Sequence, residues 1–356
     1  MAEQSNQESD QNSYWIERMI LLEELLHNLS EETVDEISKA YREAIREVEK
    51  DIAKWYTRYA TENGISYAEA KKILSTRDLA EFKWDVNEYI KHAKENAVTG
   101  AWEKELERAS VRVHVSRLEA LLLQLQNAAE NFIAKEHSLT DELLNGLYME
   151  GYYRMLFEIN KKYNIISSFN ILDEKQVHSV LMNPWSADGV NFSKRIWGNH
   201  RAKLVSTLKH ELTRQLIGLQ SPKTTVNAIL KRFNVARANA ETLVYTEAAA
   251  IASRSLHDSF KELGVKKYKI IATLDVRTCE KCRDMDHKEF ALSDFEIGNT
   301  APPFHPRCRC TYGPVVDGST GGVRTARNGG NGKKWIEVPG NMTYREWFEK
   351  YVFGKK

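Results

Sequence analysis

Hydrophobic residues recur at alternating intervals of three and four positions between residues 34 and 59. This spacing places them on one stripe of a helix and predicts a long amphipathic α-helix. Ser30 precedes two acidic residues and predicts the start of this helix, because its hydroxyl can cap a backbone N–H there. Gly64 is expected to end it. The apolar positions are Val34, Ile37, Tyr41, Ile45, Val48, Ile52, Trp55 and Tyr59.

The same periodicity predicts three more helices in the first half of the chain. One is expected from Asp78 to about Ala109, and one over the apolar positions from Leu118 to Ile133. Another is expected to begin at a Thr140 cap and to continue through Ile159. Because helices with short connections pack antiparallel, the first 165 residues are predicted to form a long-helix bundle or a protruding hairpin.

The pattern changes in the second half. A basic helix carrying Leu204 to Leu216 is expected, and Ser221-Pro222 is a strong helix-start signal. A further helix is expected from about Ala236 to the residue before Gly264. Only after this glycine do β-branched and aromatic residues predict strands, over 267–274 and 308–316.

These elements predict a mainly α protein. A long-helix N-terminal bundle or hairpin is followed by a small α+β domain with a Cys/His cluster, and then by a flexible basic tail. The tail comprises a Gly-rich linker over 317–334 and a short aromatic helix near 343–352. The predicted regions are 1–165 (long helices), 166–235 (basic helical middle), 236–316 (Cys/His domain) and 317–356 (linker and last helix).

Composition narrows the class of protein. The chain has 356 residues, of which 42% are hydrophobic and 28% charged. These values are typical of a folded protein of two or three domains and exclude wholesale disorder. No run approaches the roughly 18 apolar residues of a membrane-spanning helix, so no stable membrane insertion is expected. The polar N-terminus lacks a basic region, so we expect no secretory signal and folding in a cytoplasm.

Charge is distributed unevenly although the net charge is only +1. Residues 194–237 contain ten basic residues and one acidic residue, and residues 318–356 contain eight and three. Such blocks suggest contact with an acidic partner such as nucleic acid, although solvated helix faces would give the same pattern. The candidate nucleic-acid-binding residues are Lys203, Lys209, Arg214, Lys333 and Lys334.

All four cysteines of the chain lie in one 32-residue window, as Cys279-x2-Cys282 and then His305-x2-Cys308-x-Cys310. In a cytoplasmic protein, a Cys-x2-Cys turn facing a second clustered pair favours a structural Zn²⁺ over a disulfide framework. Five candidate ligands are available for four positions. Either Cys308 and Cys310 both bind from one strand face and His305 is spare, or His305 binds and Cys310 packs.

Two other interpretations of the cluster stay open. In one, the four cysteines stabilise a small β unit without metal. In the other, the cluster binds a catalytic metal. His287-x-Glu289 followed by Pro306 and cysteines is similar to the zinc deaminase signature. However, the cysteine spacing differs and the flanking α/β alternation is missing. The alternative function is therefore a zinc-dependent nucleic-acid-modifying enzyme, deaminase-like or nuclease-like, that uses Glu289.

The cluster also carries a family resemblance. Asp275-x-Arg277-Thr278-Cys279-x-x-Cys282, Phe290 and the run PPFHPRCRC ending at Cys310 resemble the signature of phage minor head proteins, the Mu F-like head morphogenesis family. The helical first half, the segment from Trp185 to Trp197, the Thr246-Glu247 pair and the closing MTYREWFEKYV agree with it. Arg277, Thr246 and Glu247 are expected to buttress the cluster.

The resemblance implies a role and not a reaction. Family members are minor capsid components of tailed bacteriophages, associated with the portal protein and with head assembly, genome packaging or DNA ejection. The resemblance implies that the chain is a virion protein, located inside the capsid near the portal and present in the host cytoplasm during assembly. It also implies that the chain is not an enzyme. Its expected partners are the portal protein, packaged double-stranded DNA bound without sequence specificity, and scaffold or major capsid protein.

Overall fold

Three long helices account for more than half of the residues that the computed structural model describes. The structure describes residues 2–62, 64–66, 81–82, 115–163, 170–216, 222–315, 323–326, 336–339 and 342–351. The long helices are α1 (Ala2–Glu62), α2 (Arg117–Tyr163) and α5 (Pro222–Glu262). The predicted fold class is confirmed: the chain is mainly helical, with a small sheet beside the Cys/His residues. Among the described residues, no helix has the length and apolar character needed to cross a membrane.

Shorter elements connect the long helices. The helices are α3 (Glu174–Met182), a turn at Phe192–Lys194 that continues as a π-helix over Arg195–Arg201, α4 (Ala202–Leu216), α6 (Glu280–Met285) and α7 (Tyr344–Tyr351). The strands are β1 (Glu81–Phe82), β2 (Val115–Ser116), β3 (Lys267–Ile271), β4 (Glu289–Ala291), β5 (Thr311–Pro314), β6 (Val323–Ala326) and β7 (Ile336–Pro339). A 3-10 turn spans Leu292–Asp294.

Two helix starts predicted from the sequence are wrong. Ser30 lies inside α1, where its Oγ donates to the carbonyl oxygen of Leu26 at 2.8 Å. Thr140 lies inside α2, where its Oγ1 donates to the carbonyl oxygen of Glu136 at 2.7 Å. Both side chains are buried. A hydroxyl that bonds back to the carbonyl four residues earlier is satisfied within a helix, so neither residue needs to cap one.

Other helix boundaries follow the sequence more closely. Gly64 and Gly264 have φ angles of +62° and +70° just beyond α1 and α5, the conformation that makes glycine a helix terminator. Pro222 begins α5 as predicted, but this helix continues without the expected break before Ala236. The helix expected from Asp78 lies outside the described residues, except that Glu81–Phe82 pair with Val115–Ser116 as strands.

The C-terminal sheet is antiparallel with the order β4-β3-β5. Tyr268 of β3 and Tyr312 of β5 are fully buried, with ring centroids 4.8 Å apart, and Phe260 of α5 meets Tyr312 edge to face. The Tyr312 hydroxyl donates to the carbonyl oxygen of Ser253 and so attaches β5 to α5. This attachment matters for the site because β5 directly follows the last cysteine.

The predicted strand over 308–316 begins only at Thr311. The preceding residues form a loop, because Pro303 and Pro306 cannot donate to a ladder and Arg307 has a φ of 58°. Cys308 and Cys310 therefore reach the cluster from a loop and not from one face of a strand.

The tail differs from the predicted flexible linker over part of its length. Val323–Ala326 pair antiparallel with Ile336–Pro339. The predicted last helix is confirmed as α7, which begins with a capping box: the Thr343 N–H donates to Glu346 Oε2 at 2.8 Å, and the Glu346 N–H donates to Thr343 Oγ1 at 3.3 Å. Trp347 is buried. Lys333 and Lys334 lie outside the described residues.

The chain divides into two compact units, each built from separate stretches of sequence. The first comprises residues 1–32, 142–191 and 242–356, and the second comprises residues 33–141 and 192–241. The region boundaries predicted at residues 165, 235 and 316 stay predictions.

A close approach between α2 and α5 shapes the first unit. Ser255 Oγ donates to the carbonyl oxygen of Tyr148 at 2.7 Å, and a Cβ placed on Gly151 would lie 2.7 Å from the same Oγ. The glycine is thus required by the spacing of the two helices.

A buried polar network organises the second unit. Glu136 of α2 accepts a hydrogen bond from the Tyr41 hydroxyl at 2.7 Å and lies 2.8 Å from His200 Nδ1. Glu130, fully buried, forms an ion pair with Arg201 at 2.5 Å. Burial, followed by the charge of Glu136, raises the pKa of Tyr41. The π-helix, which carries His200 and Arg201, is therefore held to α2 by charged groups inside the unit.

Candidate metal centre

All five predicted ligands meet in the first unit, in two overlapping groups. Sγ of Cys279, Sγ of Cys282 and a ring nitrogen of His305 lie within 4.8 Å of one another. The thiols of Cys282, Cys308 and Cys310 form a second such group. Cys282 belongs to both groups and is the centre of the cluster.

A turn before α6 places the first two thiols. Asp275 Oδ1 accepts the Arg277 N–H at 2.9 Å and the Thr278 hydroxyl at 3.2 Å. Cys279 then caps α6 with an extended backbone, and Cys282 follows one turn later. Because α6 starts at this point, both cysteines of the Cys-x2-Cys motif face the same space. Cys279 is half-buried and Cys282 is buried.

His305 is oriented toward the thiols. Its Nε2 lies 3.1 Å from Cys282 Sγ, and its Nδ1 lies 2.8 Å from the carbonyl oxygen of Pro306. A carbonyl oxygen only accepts, so Nδ1 carries the proton in this arrangement and the Nε2 lone pair faces the cluster. This is the tautomer of a histidine that binds a metal through Nε2.

The separation of the thiols fits a metal site better than a disulfide. All four cysteines are free, and the Sγ atoms of Cys282 and Cys308 are 3.8 Å apart. A disulfide would place them about 2.05 Å apart. Two thiolates bound tetrahedrally to Zn²⁺ at about 2.3 Å would be separated by about 3.8 Å. Thiol and imidazole donors at this spacing match the preferences of a structural zinc site.

Hydrogen bonds between the thiols concentrate negative charge on Cys308. The bonds from Cys282 and Cys310 lower the pKa of Cys308, despite its burial. Hydrogen bonds with Cys282 and Cys308, together with burial, raise the pKa of Cys310, and the bond with Cys308 raises that of Cys282. The metal-free cluster thus favours a single thiolate, and a cation would be needed to hold several.

An ion pair closes the loop that carries the cluster. Arg309 forms a bidentate contact with Asp275, one arm of which measures 2.9 Å. Burial alone would raise the pKa of Asp275. The hydrogen bonds and the charge of Arg309 outweigh this effect of burial, so the pKa of Asp275 is lowered. The hydrogen bonds that Arg309 donates to Asp275 in turn raise the pKa of Arg309. The pair holds the chain just before Cys310 against the turn before Cys279.

Arg307 fastens the cysteine loop to α5. Its N–H donates to Thr246 Oγ1 at 3.1 Å and its Nε donates to Thr242 Oγ1 at 3.0 Å. Its guanidinium lies 5.6 Å from the Tyr245 ring centroid. Thr246, expected to buttress the cluster, thus does so through the backbone of Arg307. The role of Arg307 itself is not predictable from the sequence, because it depends on a contact 61 positions away.

The other two expected buttresses act less directly. Glu247 accepts a hydrogen bond from Trp185 Nε1 at 2.7 Å, which ties the segment after α3 to α5. Arg277 is exposed and lies 3.8 Å from Asp275. Neither residue belongs to the two donor groups.

A cavity of about 410 Å³ borders the cluster. Residues of α1 and α5 also line it. No local sequence pattern indicates this cavity, because α1 lies some 250 residues before the cysteines. All five donor residues of the cluster line the cavity: Cys279, Cys282, His305, Cys308 and Cys310. Leu22, Leu26, Tyr245, Ala248 and Ala252 also line the cavity.

The residues of the deaminase-like alternative lie elsewhere on the C-terminal sheet. Glu289 is on β4, where it forms an ion pair with Lys269 at 3.0 Å. His287 has a φ of 64° and lies 3.9 Å from a carboxylate oxygen of Asp286. Neither His287 nor Glu289 is among the described residues that line the cavity.

The candidate nucleic-acid-binding residues Lys203, Lys209 and Arg214 lie on α4, in the second unit. All three are exposed, whereas Leu204, Leu208 and Leu212 of the same helix are buried. The helix is thus amphipathic, with a basic outer face.

Comparison with known proteins gives one match. Residues 206–313 match the family described as Phage Mu protein F like protein. The matched region contains most of α4, all of α5, the strands β3 and β4, and all five donor residues. No curated protein and no solved structure matches the chain.

Proposed function

Through residues 206–313 the chain belongs to the Mu F-like family of phage head morphogenesis proteins, and on that premise we propose that it is a minor capsid protein of a tailed bacteriophage. It acts inside the head, associated with the portal protein and the packaged DNA, in head assembly, genome packaging or DNA ejection. The single observation that carries the proposal is the family match, which spans the complete Cys/His cluster.

The cluster is proposed to hold one structural Zn²⁺ and to have no catalytic role. Cys279, Cys282, His305 and Cys308 are the proposed ligands, and Cys310 is a packed neighbour. The orientation of His305 Nε2 toward Cys282 supports this choice among the two ligand sets. A closed set of thiolate and imidazole ligands would stabilise the loop that carries His305 and Cys308.

The arrangement gives weaker support to an enzyme. A zinc enzyme needs an acid or base close to the metal-bound water. The residue proposed for that role, Glu289 of β4, instead forms an ion pair with Lys269 of β3. The non-enzymatic role is therefore the better supported of the two.

The basic face of α4 is proposed to contact packaged DNA. Lys and Arg side chains neutralise phosphates and release counterions without reading sequence, which suits a protein surrounded by tightly packed DNA. Lys203, Lys209 and Arg214 are the proposed contacts, with Lys333 and Lys334 of the tail as further candidates.

The gene can be deleted from the parent phage and supplied from a plasmid to test the head role. Purified virions from complemented cells are expected to contain the chain at a few copies per portal, protected from added protease until the heads are opened. Deletion is expected to lower the yield of DNA-filled, infectious heads. Absence of the chain from virions, or digestion by protease in intact heads, would overturn the proposal.

A further inference from the structure

Cys279 and Cys282 differ sharply in their environment although they share one motif. Cys279 is half-buried at the start of α6, whereas Cys282, Cys308 and Cys310 are buried. Sγ of Cys282 lies within 4.8 Å of Sγ of Cys279. An accessible thiol with a buried thiol three residues later is the layout of an exchange pair, in which the first thiol attacks and the second resolves the mixed disulfide.

The cavity supplies the access route. Both cysteines line it, and its volume of about 410 Å³ is large enough to admit a small molecule. Ala248, Ala249 and Ala252 of α5, whose side chains are small, are among the other residues that line it.

We propose that Cys279 and Cys282 form a thiol–disulfide exchange site that a low-molecular-weight disulfide, such as glutathione disulfide, reaches through this cavity. The inference rests on the positions of the thiols and not on the head role of the chain. Its consequence is that oxidation removes two of the four proposed metal ligands at once, so that metal binding depends on the redox state of the solution.

The exchange occurs in two balanced steps. The Cys279 thiolate attacks one sulfur of the small disulfide, which forms a mixed disulfide and releases one small thiol after protonation of the leaving thiolate. Cys282 then loses its thiol proton and attacks the sulfur of Cys279, and the leaving thiolate takes up a proton to give the second small thiol. One disulfide is reduced to two thiols, and two cysteine thiols are oxidised to one disulfide.

Cys308 is the competing partner, because its Sγ lies 3.8 Å from that of Cys282. However, a Cys282–Cys308 disulfide requires the first attack to occur at a buried thiol. The Cys279 route needs only the accessible thiol and its neighbour in the motif.

Peptide mapping distinguishes these pairings. The full-length protein, with its metal removed by a chelator or left bound, is incubated with glutathione disulfide, blocked with an alkylating agent and cut after lysine. Lys281 and Lys288 separate the cysteines, so a Cys279–Cys282 disulfide joins peptide 270–281 to peptide 282–288. A Cys282–Cys308 disulfide would instead join peptide 282–288 to the peptide that begins at residue 289.

The expected result is the link between peptides 270–281 and 282–288, with loss of two free thiols, release of bound metal and reversal by a dithiol reductant. Cys279→Ser is expected to slow thiol loss about tenfold or more, whereas the matched control Cys310→Ser leaves the rate unchanged. Retention of four free thiols, a stable glutathione adduct on Cys279, or a dominant link to the peptide beginning at residue 289 would overturn the proposal. The mapping uses the unaltered chain, so it decides the question even if a variant does not fold.

Discussion

Cys282 Sγ lies 3.1 Å from Nε2 of His305, although the two residues are 23 positions apart in the chain. The contact joins the motif at the start of α6 to the loop that leads into β5. Because Nδ1 of His305 is occupied by the carbonyl oxygen of Pro306, the imidazole has one nitrogen left for the cluster. Of the five donors, His305 is therefore the one whose role the geometry specifies most narrowly.

Replacement of His305 should show which of the two possible ligand sets binds the proposed Zn²⁺. His305→Ala removes the only nitrogen donor in the cluster and is expected to lower Zn²⁺ affinity by at least about tenfold to a hundredfold. Cys310→Ser is the matched control and should retain about one Zn²⁺ per chain. Elemental analysis and competition with a chromogenic chelator measure both. Loss of zinc from Cys310→Ser with retention in His305→Ala would reverse the assignment.

The ion pair between Asp275 and Arg309 predicts a dependence of stability on pH. The pKa of Asp275 is lowered in the folded protein, so the ionised carboxylate stabilises the fold at pH values above its unfolded pKa of about 3.9. This contribution is lost as the pH falls through the lower, folded pKa. Asp275→Asn should cost about 2–4 kcal/mol at neutral pH, because Arg309 then loses its charged partner.

Urea unfolding of the metal-free proteins between pH 7 and pH 3 provides the measurement for Asp275. The difference in unfolding free energy between the native chain and Asp275→Asn should be constant near neutrality and shrink below about pH 4. A difference that does not change with pH would show that the carboxylate charge contributes nothing.

Replacement by alanine should change the stability of the protein in opposite directions at two glycines of α2. Gly146 is exposed with no atom near its missing Cβ, so Gly146→Ala should stabilise the protein by about 0.5–1 kcal/mol. A Cβ on Gly151 would lie 2.7 Å from Ser255 Oγ, which is buried and bonded to Tyr148. Gly151→Ala should therefore destabilise by about 1–3 kcal/mol despite its better helix propensity. Thermal or urea unfolding checks both signs, and a stabilised Gly151→Ala would refute the close approach.

Charge reversal on α4 tests the proposed DNA contact. The triple change of Lys203, Lys209 and Arg214 to Glu should weaken binding to double-stranded DNA and lower the slope of log affinity against log salt by about one per lost phosphate contact. The matched control reverses Lys39, Lys50 and Lys54, three exposed lysines of α1 in the same unit. Equal weakening by the two triples would assign the effect to net charge and not to α4.

The sequence predicted the parts of the site that depend on local spacing. The Cys-x2-Cys turn, the return through His305 and Cys308, and the helix ends at Gly64 and Gly264 all follow from short-range geometry. Such features have a fixed residue type at a fixed interval, and a single sequence is enough to detect them.

The sequence did not predict features that depend on burial or distant contacts. Ser30 and Thr140 have the residue types of helix caps, but each hydroxyl is satisfied by the carbonyl four residues earlier inside a longer helix. The cavity wall contributed by Leu22 and the attachment of Arg307 to Thr246 depend on tertiary packing. No local pattern reports either of them.

The pair formed by Asp275 and Arg309 also bears on the order in which the domain assembles. The two residues are 34 positions apart, and Cys279, Cys282, His305 and Cys308 all lie between them. Closing a loop of that length costs about 3 kcal/mol of chain entropy before the two halves of the cluster can meet. The ladder between β3 and β5, together with this pair, supplies that closure without any ion. The proposed metal would then bind to a frame that is already assembled, so we expect the rate of sheet formation not to depend on metal concentration.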